Sequence, residues 1–292
     1  MSIDAPGFRL LGERRCRLGE GPAYDHHADT LWWFDILDRK LCEYRFADDA
    51  FHVHDLPFMA SALARIDNRR QLIVAETGLH VRDIATGALS LHRPLEAENA
   101  ATRSNDSRVH PSGAFWIGTM GKKAKHAAGA IYWYRDGEIK QLYDRVSIPN
   151  AICFSPDGRT GYFTDTLTGQ ILSVTLDPET GLPVSQAVPF GAKSANGDPD
   201  GAIVDAKGNL WVARWGGHGI EMMSPAGKVE QTIKLPAVQT SCPAFVGPNA
   251  GSIALTSARA GLKDDAVPED GATFLLDIPV EGRFEPDVGF RA

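Results

Sequence analysis

Six polar residues recur in one phase along this chain. Glu20 precedes Trp32, Asn105 precedes Trp116 and Asp200 precedes Trp211, while Ser61 and Ser241 hold the equivalent places before Ile73 and Ile253. Asn150 stands in the same way before the strand-like run Thr160–Asp165, and each polar residue lies 11 or 12 positions ahead of its apolar marker. Together they carry two carboxylates, two amides and two hydroxyls. Competing chemistries are absent from the sequence. No histidine has HExxH or similar ligand spacing, no serine sits in a GxSxG elbow, and no glycine-rich phosphate loop opens a helix. Cys16, Cys42, Cys153 and Cys242 show no CxxC or zinc-ribbon spacing and are expected as buried, reduced thiols.

What could bring the six together is a repeat. The markers recur roughly every 40 to 50 residues, the period of four-stranded propeller blades. Equal phase then means equal position in space, and the first strand of each blade lines the central channel. The expected fold is all-β: a six-bladed β-propeller with four-stranded blades, forming a single domain over residues 1–292. Glu20, Ser61, Asn105, Asn150, Asp200 and Ser241 would ring one mouth of the channel. Runs rich in Val, Ile, Tyr, Trp and Thr, such as Thr30–Ile36, Gln71–Thr77 and Ala114–Met120, lie between turns such as Pro156-Asp157-Gly158. Phe8–Cys16 reads as a strand with no partner before it. It is expected to complete the last blade, closing the ring and removing free edges.

Composition bounds the function. The chain has 292 residues, 43% hydrophobic and 23% charged, with a formal charge of −7. That balance, with no basic stripe interleaved with aromatics, argues against nucleic acid as a partner. The first fifteen residues have no apolar core of a secretory signal, and no apolar run nears the roughly 18 residues that span a bilayer. A cytoplasmic enzyme, monomeric or a small homo-oligomer, without membrane contact, is the expectation.

Four fragments carry a family likeness: Gly19-Glu20-Gly21-Pro22, Arg103-Ser104-Asn105-Asp106, Ser147–Gly158 and Asp198-Pro199-Asp200-Gly201. In order and in phase, they resemble the senescence-marker-protein, gluconolactonase and luciferin-regenerating-enzyme group of six-bladed propellers, from Gly19 to about Arg259. The resemblance implies a lactone hydrolase holding one divalent cation at the channel mouth. It implies Glu20, Asn150 and Asp200 as metal ligands, Asp200 also as general base toward the attacking water, and Arg103 with Asn105 as the substrate-binding pair. Three oxygen donors, two of them anionic, suit a hard cation. Ca²⁺ is the expected occupant, with Mg²⁺, Mn²⁺, Zn²⁺ and Fe²⁺ as alternatives; zinc is less natural without His or Cys ligands. Asp106 is expected to brace its loop, and Asp165 to support the site from the channel side.

One departure bears on substrate. Where many family members carry an acidic residue three positions after Gly118-Thr119-Met120, this chain has Lys123. An ammonium there is expected to alter hydroxyl recognition and to favour a lactone with its own carboxylate, derived from an aldaric or uronic acid. A solvent-facing lysine on a mobile lid is the plainer alternative. The leading expectation is a sugar lactonase opening an aldonolactone, or such an acidic lactone, to the sugar acid. The alternatives are a promiscuous metal-dependent esterase or phosphotriesterase on the same site, and a non-catalytic propeller scaffold.

Overall fold

Short apolar runs separated by glycine, proline and Asx turns yield strands almost throughout the computed structural model, which describes residues 2–3, 7–263 and 266–291. Among the described residues the one helix is a 3₁₀ turn at Thr166–Thr168, and no helix is long and apolar enough to cross a membrane. The strands form six sheets, each built on four antiparallel strands and one of them extended by a fifth, the expected six-bladed propeller. The innermost strands of blades 1 to 6 are Gly19–Asp25, Ala60–Arg65, Thr102–Val109, Pro149–Phe154, Asp198–Val204 and Gln239–Val246. The apolar markers lie on the second strands, where Trp32, Ile73, Trp116, Trp211 and Ile253 are all buried.

Blade contacts build the core. Six apolar clusters lie one at each junction between neighbouring blades, as with Trp116, Trp133, Phe154 and Phe163 between blades 3 and 4. The cluster joining blade 6 to blade 1 contains Leu11, Leu31, Trp33, Ala244 and Ala254. Every blade therefore buries both faces against its neighbours, and the core is shared between blades rather than enclosed within one.

The ring closes as expected. Phe8–Leu10 pairs antiparallel with Phe274–Leu276 as the outer strand of blade 6. It is shorter than Phe8–Cys16, because Gly12 takes φ +73 and turns the chain away after Leu11. Ser2–Ile3 adds a fifth, parallel strand to Val229–Lys234 of blade 5.

Two features were not expected. Each innermost strand slips register at its polar ring residue: between Glu20 and Ala23, Ala60 and Ala62, Ser104 and Ser107, Asn150 and Cys153, Pro199 and Ala202, and Thr240 and Pro243. A β-bulge bends the strand and re-aims a side chain. The second feature is the C-terminal segment, residues 277–291, which forms no strand and crosses the end of the channel opposite the polar ring. All four cysteines are free and buried.

Candidate active site

The bulges position the polar ring. Immediately after Glu20, Gly21 adopts φ +54, and after Asn150, Ala151 adopts φ +53. A Cβ on Gly21 would lie 1.9 Å from the Ser61 carbonyl oxygen, so only glycine fits where blades 1 and 2 meet. Gly201, after Asp200, similarly leaves room for Cys242 of blade 6. A glycine directly following a carboxylate within a strand pattern is the sequence signal for such a bulge.

Four of the six ring residues line one cavity of about 370 Å³: Glu20, Asn105, Asn150 and Asp200, joined by Arg103 and Lys123. That volume suits a small molecule. The two serines do other work. Ser61 Oγ bonds Ser104 Oγ at 2.8 Å and the Asn105 carbonyl at 2.7 Å, and Ser241 Oγ bonds the Gly19 carbonyl, tying adjacent innermost strands together.

A chain of hydrogen bonds crosses three blades at the mouth. Arg103 Nη1 donates to Asn105 Oδ1 at 2.8 Å, and Asn105 Nδ2 donates to Asn150 Oδ1 at 2.8 Å and to the Pro149 carbonyl at 2.9 Å. Asn150 Nδ2 donates to Thr166 Oγ1 at 2.9 Å, which donates to the Pro199 carbonyl at 2.9 Å. Both protons of the Asn105 amide are therefore committed to protein, leaving its oxygen and the Arg103 guanidinium to meet a ligand. Asn150 is fixed with its oxygen toward Asn105. Asp165 does not serve the channel directly: its carboxylate accepts from the backbone of Ser147, Ile148 and Leu167, holding the rim that leads into Asn150. Asp106 accepts from Ile152 N at 2.7 Å, bracing blade 3 against blade 4.

Electrostatics at the mouth are strained. Burial, then the charge of Asp106, pushes Glu20 up to about 8, against the opposing pull of Gly21 N–H, Arg103 and Arg108. Burial, then Glu20 and Asp106, raises Asp200 well above the usual carboxylate range. Burial also lifts Asp106 to about 6, and lowers Arg103 to about 10 despite Glu20 and Asp200. Two buried carboxylates that resist ionisation together, beside an oriented amide oxygen, make an all-oxygen donor set that fits one hard divalent cation. No histidine lines this cavity.

The Lys123 loop is pinned on both sides. Ala124 N bonds the Gly121 carbonyl at 2.8 Å, closing a turn with Lys122 and Lys123 at its corner. Lys122 N bonds the Ala101 carbonyl at 2.8 Å and its Nζ pairs with Glu76 Oε2 at 2.5 Å, while Ala127 N reaches Ser147 Oγ at 3.0 Å. Lys123 lines the cavity and has no hydrogen-bond or ion-pair partner among the described residues.

Comparison with known proteins extends these observations. Residues 18–259 match the family model described as SMP-30/Gluconolactonase/LRE-like region. A Rhizobium meliloti protein provisionally named a sugar lactone lactonase is 47% identical, over 95% of this chain and 96% of its own. An L-arabinolactonase from Azospirillum brasilense is 35% identical, over 89% of this chain and 87% of its own. The crystal structure of a calcium-binding protein, regucalcin, from Agrobacterium tumefaciens aligns with a TM-score of 0.96 at 47% identity, covering 99% of this chain and 98% of that one. With most of its length matched in sequence and nearly all of it in structure, the chain belongs to the SMP-30/gluconolactonase/LRE-like family.

Proposed function

We propose that the chain, acting as one propeller domain, is a divalent-cation-dependent lactonase that hydrolyses a sugar lactone to the open-chain sugar acid. One observation carries this reading: Glu20, Asn150 and Asp200, 180 positions apart at their extremes, line the same cavity with Arg103. The similarity to an L-arabinolactonase supports the reaction class, and the similarity to a calcium-binding regucalcin supports Ca²⁺ as the occupant.

Glu20, Asn150 and Asp200 would hold the cation, which when bound supplies charge that polarises the lactone carbonyl. The remaining work belongs to the chain. Arg103 and the Asn105 oxygen bind ring hydroxyls and set the lactone's orientation. Asp200, which lines the same cavity, would accept a proton from the attacking water as general base. As the water oxygen bonds to the carbonyl carbon, its proton passes to Asp200. The bond from that carbon to the ring oxygen then breaks, and the proton goes to the departing alkoxide. The product is a hydroxy acid, and Asp200 is again ionised. Lys123 extends the site toward lactones that carry a carboxylate of their own.

The test is acid release from a panel of neutral and acidic lactones, with and without chelator. Hydrolysis that disappears on chelation and returns with Ca²⁺ is expected. Asp200→Asn should lower turnover by about 10²–10⁴-fold with the fold intact by circular dichroism. Chelator-insensitive turnover, or substantial activity in Asp200→Asn, refutes the mechanism. Preference for organophosphates would assign the same site to a phosphotriesterase, and no hydrolysis at all to a binding scaffold.

A further inference from the structure

The C-terminal segment touches every blade as it crosses the far mouth. Gly282 N bonds the Ala250 carbonyl of blade 6 at 3.1 Å, and the Glu281 carbonyl accepts from Ala206 N of blade 5 at 2.8 Å. Arg283 donates through Nε to the Val204 carbonyl at 3.0 Å and through Nη2 to the Phe154 carbonyl of blade 4 at 2.5 Å. Phe284 stacks on His26 of blade 1, with ring centroids 4.3 Å apart. Val288 N bonds the Arg65 carbonyl of blade 2 at 2.9 Å, and Gly289 N bonds the Gly113 carbonyl of blade 3 at 2.8 Å.

At the centre of this strap, Glu285 pairs with Arg108. Arg108 belongs to the same innermost strand as Arg103 and Asn105, but faces the strap rather than the cavity. It is 6% exposed, with Nη2 also 3.3 Å from Cys242 Sγ. Between it and the mouth lies Asp106, buried and bonded to Ile152 N. Asp106 feels Glu20 and Asp200 on the side of the mouth and Arg108 on the other, and Arg108 in turn meets Glu285. Without Glu285, Arg108 would keep only the more distant Asp106 as a counter-charge, and its excess positive charge would oppose any cation held at the mouth, with little screening in low-dielectric surroundings.

We propose that Glu285 is a positioning residue for the cation site, its carboxylate neutralising Arg108 so that the channel floor does not repel the ion. This rests on the cation-dependent reading above. The strap therefore contributes to the site from the opposite end of the propeller, without touching substrate.

Calorimetric titration of the full chain with Ca²⁺ at low ionic strength tests it. Glu285→Gln should weaken binding about tenfold, while Glu285→Asp, which keeps the charge, should bind as the unaltered protein does. In the double variant Arg108→Met with Glu285→Gln, affinity should return to within about threefold of the starting value, because both charges are gone. A merely structural role predicts the reverse, with the double variant weaker than Glu285→Gln alone. Equal affinity in the unaltered protein and Glu285→Gln, or no recovery in the double variant, overturns the role of Glu285. An unaltered protein that takes up no Ca²⁺ overturns the cation reading itself and this role with it.

Discussion

Ca²⁺ should bind more tightly as pH rises, and the slope can be worked from Glu20. With its carboxyl pushed up to about 8 in the cation-free protein, about one-tenth of Glu20 is ionised at pH 7. Filling the site must then expel roughly 0.9 proton from Glu20, with a further contribution from Asp200, raised for the same reasons. From Glu20 alone, apparent affinity should rise about ninefold from pH 6 to 7 and about fivefold from 7 to 8, then level off. Calorimetry at pH 7 in two buffers of different ionisation enthalpy counts the released protons directly. The same shift bears on stability. A folded-state value raised from 4.5 to about 8 means that the contribution of Glu20 is fully present below 4.5 and is lost as pH rises through 8. The full loss is on the order of 5 kcal/mol at about 1.4 kcal/mol per pH unit. The melting temperature of cation-free protein should fall across that window, and Ca²⁺ should recover more of it at pH 8 than at pH 5. Affinity that stays flat from pH 6 to 8, with no proton release, refutes the reasoning, since it would mean that the carboxylates are already ionised before the ion arrives.

Three further outcomes follow from the geometry. Lys123→Ala should lower kcat/KM for acidic lactones by about tenfold and leave neutral ones within about twofold, because the pinned turn presents an ammonium with no protein counter-ion; equal losses on both classes would remove its role in selectivity. Gly21→Ala should cost at least about 1–2 kcal/mol and abolish Ca²⁺ binding, since φ +54 and a Cβ 1.9 Å from the Ser61 carbonyl cannot coexist; denaturant melts and calorimetry read both. Removing residues through Leu10 should expose the edge of Phe274–Leu276, lowering the melting temperature and promoting aggregation visible by light scattering. A truncated chain as stable and monodisperse as the full one would show that closure of blade 6 contributes little.

The sequence was legible where a periodic signal existed. A polar residue 11 or 12 positions ahead of a buried marker, repeated six times, marks six equivalent strands, and this alone brings Glu20, Asn150 and Asp200 to one cavity. The unpaired run beginning at Phe8 likewise indicated closure, because a blade missing its outer strand needs one from elsewhere. Yet the same phase grouped Ser61 and Ser241 with the carboxylates, and the structure turns both toward neighbouring backbone. Phase fixes the place of a residue along a strand, whereas the side chain's target depends on the neighbouring blade.

Residue types and their spacing determined the number of blades, the strand that lines the channel, and the carboxylates and amides available at its mouth. Tertiary structure alone decided the rest. The bulges are a property of paired strands, so no single strand announces more than the Gly after Glu20 or Asp200. Commitment of both Asn105 amide protons depends on Asn150 arriving from the next blade. The strap has no period to read, and its partners lie far away in sequence, Arg65 222 positions from Asp287 and His26 farther still from Phe284. The balance of charge along the channel is set by burial, a quantity that exists only once the ring has closed.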